Sequence, residues 1–196
     1  MKYLQRLALA GLCVVLGGCA APLALNYAPS STMTVKGVEK VGDFEYMPAK
    51  NGKVTPNEIH NTAAGHVYFE KPIAEYFHNA LFVESRFVGI DTGGTYPLLH
   101  GSIDEFLIDD LGFSIDWTLN VTYVLDNADG SVCYHKQQKH SRHTSKFTPG
   151  AGFAILNEVM KSNIELLFKD PEFVACIAPT HAIVTPSTGS DSAASQ

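Results

Sequence analysis

Residues 114–125 read SIDWTLNVTYVL, and their alternation decides the fold. Ile115, Trp117, Leu119, Val121, Tyr123 and Leu125 fall on one parity; Ser114, Asp116, Thr118, Asn120, Thr122 and Val124 fall on the other. Successive side chains of a strand point to opposite faces, so this pattern predicts a half-buried antiparallel strand with one face on a core. Asn127-Ala128-Asp129-Gly130 follows as a hairpin turn in which Gly130 can take positive φ, and residues 132 to about 143 return as its partner. Upstream, residues 97–108 (PLLHGSIDEFLI) carry a similar pattern with a slip: Leu99, Gly101 and Ile103 share one parity, Phe106 and Ile108 the other. A bulge at Asp104-Glu105 restores Phe106 to the core side.

Helical spacing flanks this meander. After Pro72, a residue suited to a first helical turn, Ile73, Phe77, Ala80, Leu81 and Glu84 recur at three- and four-residue steps, predicting a helix over 72–87 that stops at Gly89. Phe153, Leu156, Val159, Met160, Ile164 and Leu167 predict a second one to about Lys169, with Pro171 forcing a break and residues 172–177 adding a turn that brings Cys176 near the sheet. Residues 32–46 suit a strand or a hairpin. Residues 47–64, broken by Pro48, Asn51-Gly52 and Pro56, read as a loop with one short extended piece. The expected fold class is α+β: a two-layer sandwich with a mainly antiparallel sheet of about four to five strands and two helices packed on one face.

The start of the chain reads as an address. Lys2 and Arg6 precede the apolar run 7–16 (LALAGLCVVL), too short to span a bilayer as a helix, and small residues follow. Leu16-Gly17-Gly18-Cys19 resembles the lipobox of bacterial lipoproteins, in which Cys19 is diacylated, becomes the first residue after cleavage and is acylated again. Two or more acyl chains hold a protein at a membrane where one holds it only marginally. In the lipoprotein rule, the absence of an aspartate at Ala20 favours the outer membrane, with the protein facing the periplasm. The expected organisation is a signal peptide over 1–18, a tether over 19–31, one periplasmic domain over 32–178 and a disordered Ser/Thr/Ala-rich tail over 179–196.

The full chain has 196 residues and a formal net charge of −6. Removing residues 1–18 takes away Lys2 and Arg6 and leaves 178 residues at −8. An acidic surface holds neither nucleic acid nor anionic headgroups electrostatically, so the membrane contact is assigned to the lipid on Cys19. No nucleic-acid partner and no cofactor are expected.

Of four cysteines, Cys13 leaves with the signal and Cys19 carries lipid, so Cys133 and Cys176 form a disulfide candidate in an oxidising compartment, with two buried free thiols as the alternative. His135, His140 and His143, with Cys133 nearby, form a candidate metal set. His140 has the opposite parity, so the set converges only if the strand ends or bulges after Gln137. Asp91-Thr92-Gly93 matches the short core of aspartic peptidases, which need two such aspartates and hence two copies of this chain; a turn-forming Asp91 is the bland alternative. Asp104, Glu105, Asp109 and Asp110 read as solvated turn residues. No G-x-S-x-G, Walker loop, dinucleotide fingerprint or H-E-x-x-H occurs.

Leu99-x-Gly101-x-Ile103-x-x-Phe106, set between a helix ending at Phe87-Val88 and a long alternating strand, an Asp/Gly turn and a second helix, resembles the small envelope lipoproteins of the ABC-transport auxiliary and uncharacterised outer-membrane type. The resemblance spans residues 66–173. It implies a periplasmic α+β domain tethered to the outer membrane that acts through protein contacts in envelope lipid transport or membrane maintenance, and it carries over no catalytic residues. The leading expectation is a non-enzymatic, lipid-anchored binding or scaffold module whose exposed sheet edge or loops meet an envelope protein partner. The long loop before Pro72 and the His/Lys-rich strand depart from that type. The rival expectations are a metal-binding lipoprotein and, further off, the Asp91 peptidase.

Overall fold

In a computed structural model that describes residues 22–63, 65–146 and 153–179, the alternating segment forms the central strand of the molecule. The elements in chain order are β1 (Gly37–Val38), β2 (Lys40–Tyr46), α1 (Met47–Lys50), β3 (Glu58–Asn61), β4 (Gly65–Tyr68), α2 (Ile73–Val88) and β5 (Ile90–Asp91). Then follow β6 (Leu98–Asp109), β7 (Ser114–Asp126), β8 (Val132–Ser145), α3 (Phe153–Lys169) and α4 (Pro171–Ile177). No helix among the described residues is long and apolar enough to cross a membrane. The expected signal peptide, Cys19 and residues 180–196 lie outside the described residues.

The meander stands as predicted. β6, β7 and β8 pair antiparallel in sequence order, and Gly130 closes the second turn at φ 82°. The register of β6 against β7 shifts between Ile103 and Glu105, so Asp104 is the extra residue and both Ile103 and Phe106 reach the core. Gly101 of the same motif has a steric reason: a Cβ there would lie 1.9 Å from the carbonyl oxygen of Thr122.

The rest of the sheet corrects the expectation. It is a mixed sheet of six strands in the order β4-β3-β6-β7-β8, with β2 also on β6. β2 and β3 both run parallel to β6 and share its free edge end to end, β2 along Leu98 to Ile103 and β3 along Leu107 and Ile108. Parallel pairing follows from the route of the chain: α2 lies between these strands and β6, and a crossover of that kind returns the chain in the same direction. Residues 32–46 are therefore no hairpin. β1 leaves to form a separate two-stranded parallel sheet with β5, and β2 continues alone onto β6. The loop before Pro72 holds α1 as well as β3, its one extended piece, which pairs antiparallel with β4.

Both long helices pack on one face, α2 over β2 and α3 over β7 and β8. Ile73, Phe77, Ala80 and Leu81 of α2 are fully buried, and Phe77 meets Phe44 edge-on at 5.2 Å. From α3, Val159, Met160, Ile164 and Leu167 fill the other half, and buried Asn163 binds Tyr123 Oη and the carbonyls of Leu119 and Gln138. Pro171 ends α3, as expected, but it also opens α4: Asp170 accepts from the Glu172 amide at 3.0 Å as the cap, and proline suits the first turn.

Candidate functional site

Residues 22–31 are no free tether. Leu23 pairs in parallel with Phe69, donating to the Tyr68 carbonyl at 2.9 Å and accepting from the Glu70 amide at 3.1 Å. Leu23, Leu25 and Tyr27, on every second residue, pack against the core. The segment ends on Glu84, a fully buried carboxylate of α2 that accepts from Tyr27 Oη at 2.6 Å, the Ser30 amide at 3.0 Å and the Ser31 amide at 3.4 Å. Asn157 of α3 donates to the Asn26 carbonyl, so the segment straps both helices. Burial, with the Glu84 carboxylate beside it, holds the Tyr27 hydroxyl far above the ordinary tyrosine range.

Small, proline-bearing composition pointed to a linker. The alternation of Leu23, Leu25 and Tyr27 was the signal that the segment adds to the fold. Glu84→Ala should lower unfolding stability by about 2 kcal/mol, the scale of a buried hydrogen bond to a charged group. It should also open residues 22–31 to protease. Urea unfolding and limited proteolysis test this; a protected segment with an unchanged midpoint would rule out the clamp.

The face of the sheet away from the helices is polar and lined with hydrogen-bonded side chains. Asp104, pushed outward by the bulge, accepts from Ser102 Oγ at 2.7 Å, Thr122 Oγ1 at 2.6 Å and Gln137 Nε2 at 2.9 Å. Lys139 pairs with Glu105 at 3.2 Å, and Thr118 meets Ser141 at 3.1 Å. Of the carboxylates expected as solvated turn residues, Asp104, Glu105 and Asp109 lie in β6 and Asp110 just after it: Asp109 accepts from Thr62, and Asp110 pairs with Lys146 at 2.6 Å. This outer face can offer hydrogen bonds and charges to a partner surface.

The histidines do not converge. β8 runs unbroken to Ser145, so His135 and His143 lie on its exposed outer face while His140 faces the helix layer. His143 pairs with Asp116 at 2.7 Å; His140 Nε2 is buried without a hydrogen-bond partner among the described residues. Burial first, and Arg142 second, hold the His140 imidazole below its ordinary pKa. Among the described residues no group of three or more His, Cys, Asp or Glu side chains is placed to hold a metal. Cys133 is taken up elsewhere: it bonds to Cys176 of α4, with Cα atoms 6.0 Å apart. Leu125 faces Tyr134 and Asp126 faces Val132, which leaves Cys133 as the bulged residue and turns it toward α4.

Around that bond a polar cluster ties β8 to α4. Asp170 accepts from Tyr134 Oη at 3.0 Å and pairs with Lys136 at 3.1 Å. Burial alone would raise the Asp170 carboxyl, but the Glu172 amide, Lys136 and Tyr134 outweigh it and hold the pKa below its usual value. Asp91 sits exposed on β5 and accepts from the Gly93 amide at 2.9 Å, as a turn former does. Its shallow cleft, lined by Phe82, Arg86 and residues 89–93, brings no second carboxylate among the described residues.

The fold is a two-layer α+β sandwich with a mixed six-stranded sheet, a polar outer face and a strapped N-terminal segment. Neither a family model nor a curated protein matches the sequence. In structure, the chain is similar to a Xanthomonas campestris protein described under the family name DUF330, with a TM-score of 0.57, 14% identity, 76% of this chain covered and 93% of the other. At that identity the likeness speaks for the fold alone. A hypothetical protein from Chlamydia trachomatis matches at a TM-score of 0.45 with 11% identity, covering 72% of this chain and 95% of the other. A lipoprotein from Neisseria meningitidis matches at 0.29 with 12% identity, covering 66% and 99%. Neither of these two matches is close enough to bear on function.

Proposed function

We propose that the protein is a bacterial envelope lipoprotein, held at the periplasmic face of the outer membrane by lipid on Cys19, which acts as a binding or scaffold module in lipid transport or outer-membrane maintenance. The observation that carries this reading is Leu16-Gly17-Gly18-Cys19 behind a basic and apolar leader, at the position a lipobox requires. The Cys133–Cys176 bond supports it, because such bonds persist in oxidising compartments. The polar outer face of the sheet supplies the partner surface.

One experiment with two readouts tests it. Wild-type protein carrying a photo-crosslinker at Gln137 on the outer face should incorporate acyl label and trap an envelope protein in living cells. Cys19→Ser should leave unprocessed precursor, lose the label and lose the crosslink. Normal processing of Cys19→Ser would refute the anchor, and an uncrosslinked but acylated wild type would refute the scaffold role.

A further inference from the structure

The turn between β6 and β7 carries two exposed apolar side chains, Leu111 at 64% and Phe113 at 84%, on either side of Gly112. Single exposed apolar residues are ordinary on protein surfaces; here two project from one hairpin tip. Its place relative to the anchor follows from the strand pairings. Leu23 runs parallel to Phe69, so Pro22 lies toward the Gly65 end of β4. Gly65 pairs with Asn61, and Asn61 with Ile108.

Thr62 locks that end to the tip. Its amide donates to the Ile108 carbonyl at 3.0 Å, and its hydroxyl donates to Asp109 at 2.8 Å and accepts from the Asp110 amide at 2.8 Å. The direction of chain entry and the apolar tip therefore belong to one end of the sheet. Cys19 precedes Leu23 by four residues, which reach at most about 14 Å, roughly the length of β4 from Phe69 back to Gly65.

We infer that the β6–β7 tip dips into the interface of the membrane that holds the lipid on Cys19, with Leu111 and Phe113 as its apolar contacts. This rests on the reading of Cys19 as the lipidated residue. Of the carboxylates around the tip, Asp110 pairs with Lys146, Asp116 hydrogen-bonds His143, and Asp109 accepts from Thr62. Acyl chains supply the attachment, and a weak second contact held at high effective concentration supplies the orientation. The β7–β8 turn then points away from the bilayer, and the polar sheet face stands upright beside it.

The test uses the acylated full-length mature protein in vesicles of phosphatidylethanolamine and phosphatidylglycerol carrying nitroxide-labelled phospholipid. Cys19 is blocked by lipid and Cys133 and Cys176 by each other, so an added cysteine is the free thiol for a fluorescent label. The label on Leu111→Cys should lose most of its emission to the nitroxide, the label on Ala128→Cys at the opposite turn should keep it, and adding Phe113→Ser to Leu111→Cys should restore emission. Equal quenching at the two positions overturns the inference while leaving the anchor standing. Shielding of the Leu111→Cys label from aqueous iodide without lipid quenching reports a protein contact, such as a second copy, and overturns it too. Protein that does not float with vesicles overturns both the inference and the anchor beneath it.

Discussion

Replacing Cys133 and Cys176 together by serine should lower the unfolding free energy by about 4 kcal/mol, the loop-closure entropy for a cross-link of this span on the chain-entropy model. The bond joins residues 43 apart in sequence and ties the start of β8 to α4. The folded state does not need it for geometry. Phe173 and Ile177 of α4 are fully buried, Phe173 meets Tyr134 edge-on at 5.6 Å, and the Asp170 cluster holds the same junction. The native near-UV spectrum should therefore persist in the double variant, with the loss arising in a freer unfolded chain. That mechanism makes a second demand: the urea m-value should rise, because the uncrosslinked chain exposes more surface. Urea unfolding of the oxidised wild type, the reduced wild type and the double variant decides it. A loss under about 1 kcal/mol would show that the unfolded chain is already confined near this junction, since residual structure is the known way such estimates fail.

How far the fold could be read depended on whether its signal was local. The α2 period, Gly89 at its end and the Ser114–Asp126 alternation concern neighbours along one element, and each appears where expected. The bulge at Asp104 was also readable, because a parity slip between Ile103 and Phe106 has no other remedy within one strand. The pairing of β2 and β3 with β6 was not. A strand shows which face it buries, not which edge it will join, and these contacts close across α2. β4 escaped because four half-exposed residues at a sheet edge carry little pattern.

The site divided in the same way. Opposite parity separated His140 from His135 and His143, and β8 keeps that parity because its bulge falls at Cys133, before all three. The spacing of α2 put Glu84 on its inward stripe, but the role of Glu84 and the burial of Glu39 were hidden for a chemical reason: each is an acid at a core position, where helical or strand spacing predicts an apolar residue. For Glu84 the explanation lies in the strap, whose donors come from residues more than fifty positions earlier.

Glu39 has no such explanation, and it yields the second large effect. Its side chain is fully buried in the inward series that continues through Val41, and neither carboxyl oxygen has a hydrogen-bond partner among the described residues. Burial pushes its pKa up from 4.5 to about 7; the buried Ser85 hydroxyl favours the carboxylate but forms no full hydrogen bond to it. Below pH 4.5 the folded and unfolded chains both carry the proton. As pH rises toward 7 the unfolded chain releases it while the folded one keeps it, so folding stability falls across that window and levels off above it. The loss amounts to ~3 kcal/mol at about 1.4 kcal/mol per pH unit. Glu39→Gln keeps the shape and removes the titration. The stability difference between wild type and variant should therefore shift by ~3 kcal/mol in the variant's favour between pH 4.5 and pH 8. His140 and the surface carboxylates titrate in both proteins and cancel in that difference. Urea unfolding of the pair at several pH values measures it directly, and parallel pH profiles would mean that the folded protein already accommodates the ionised Glu39.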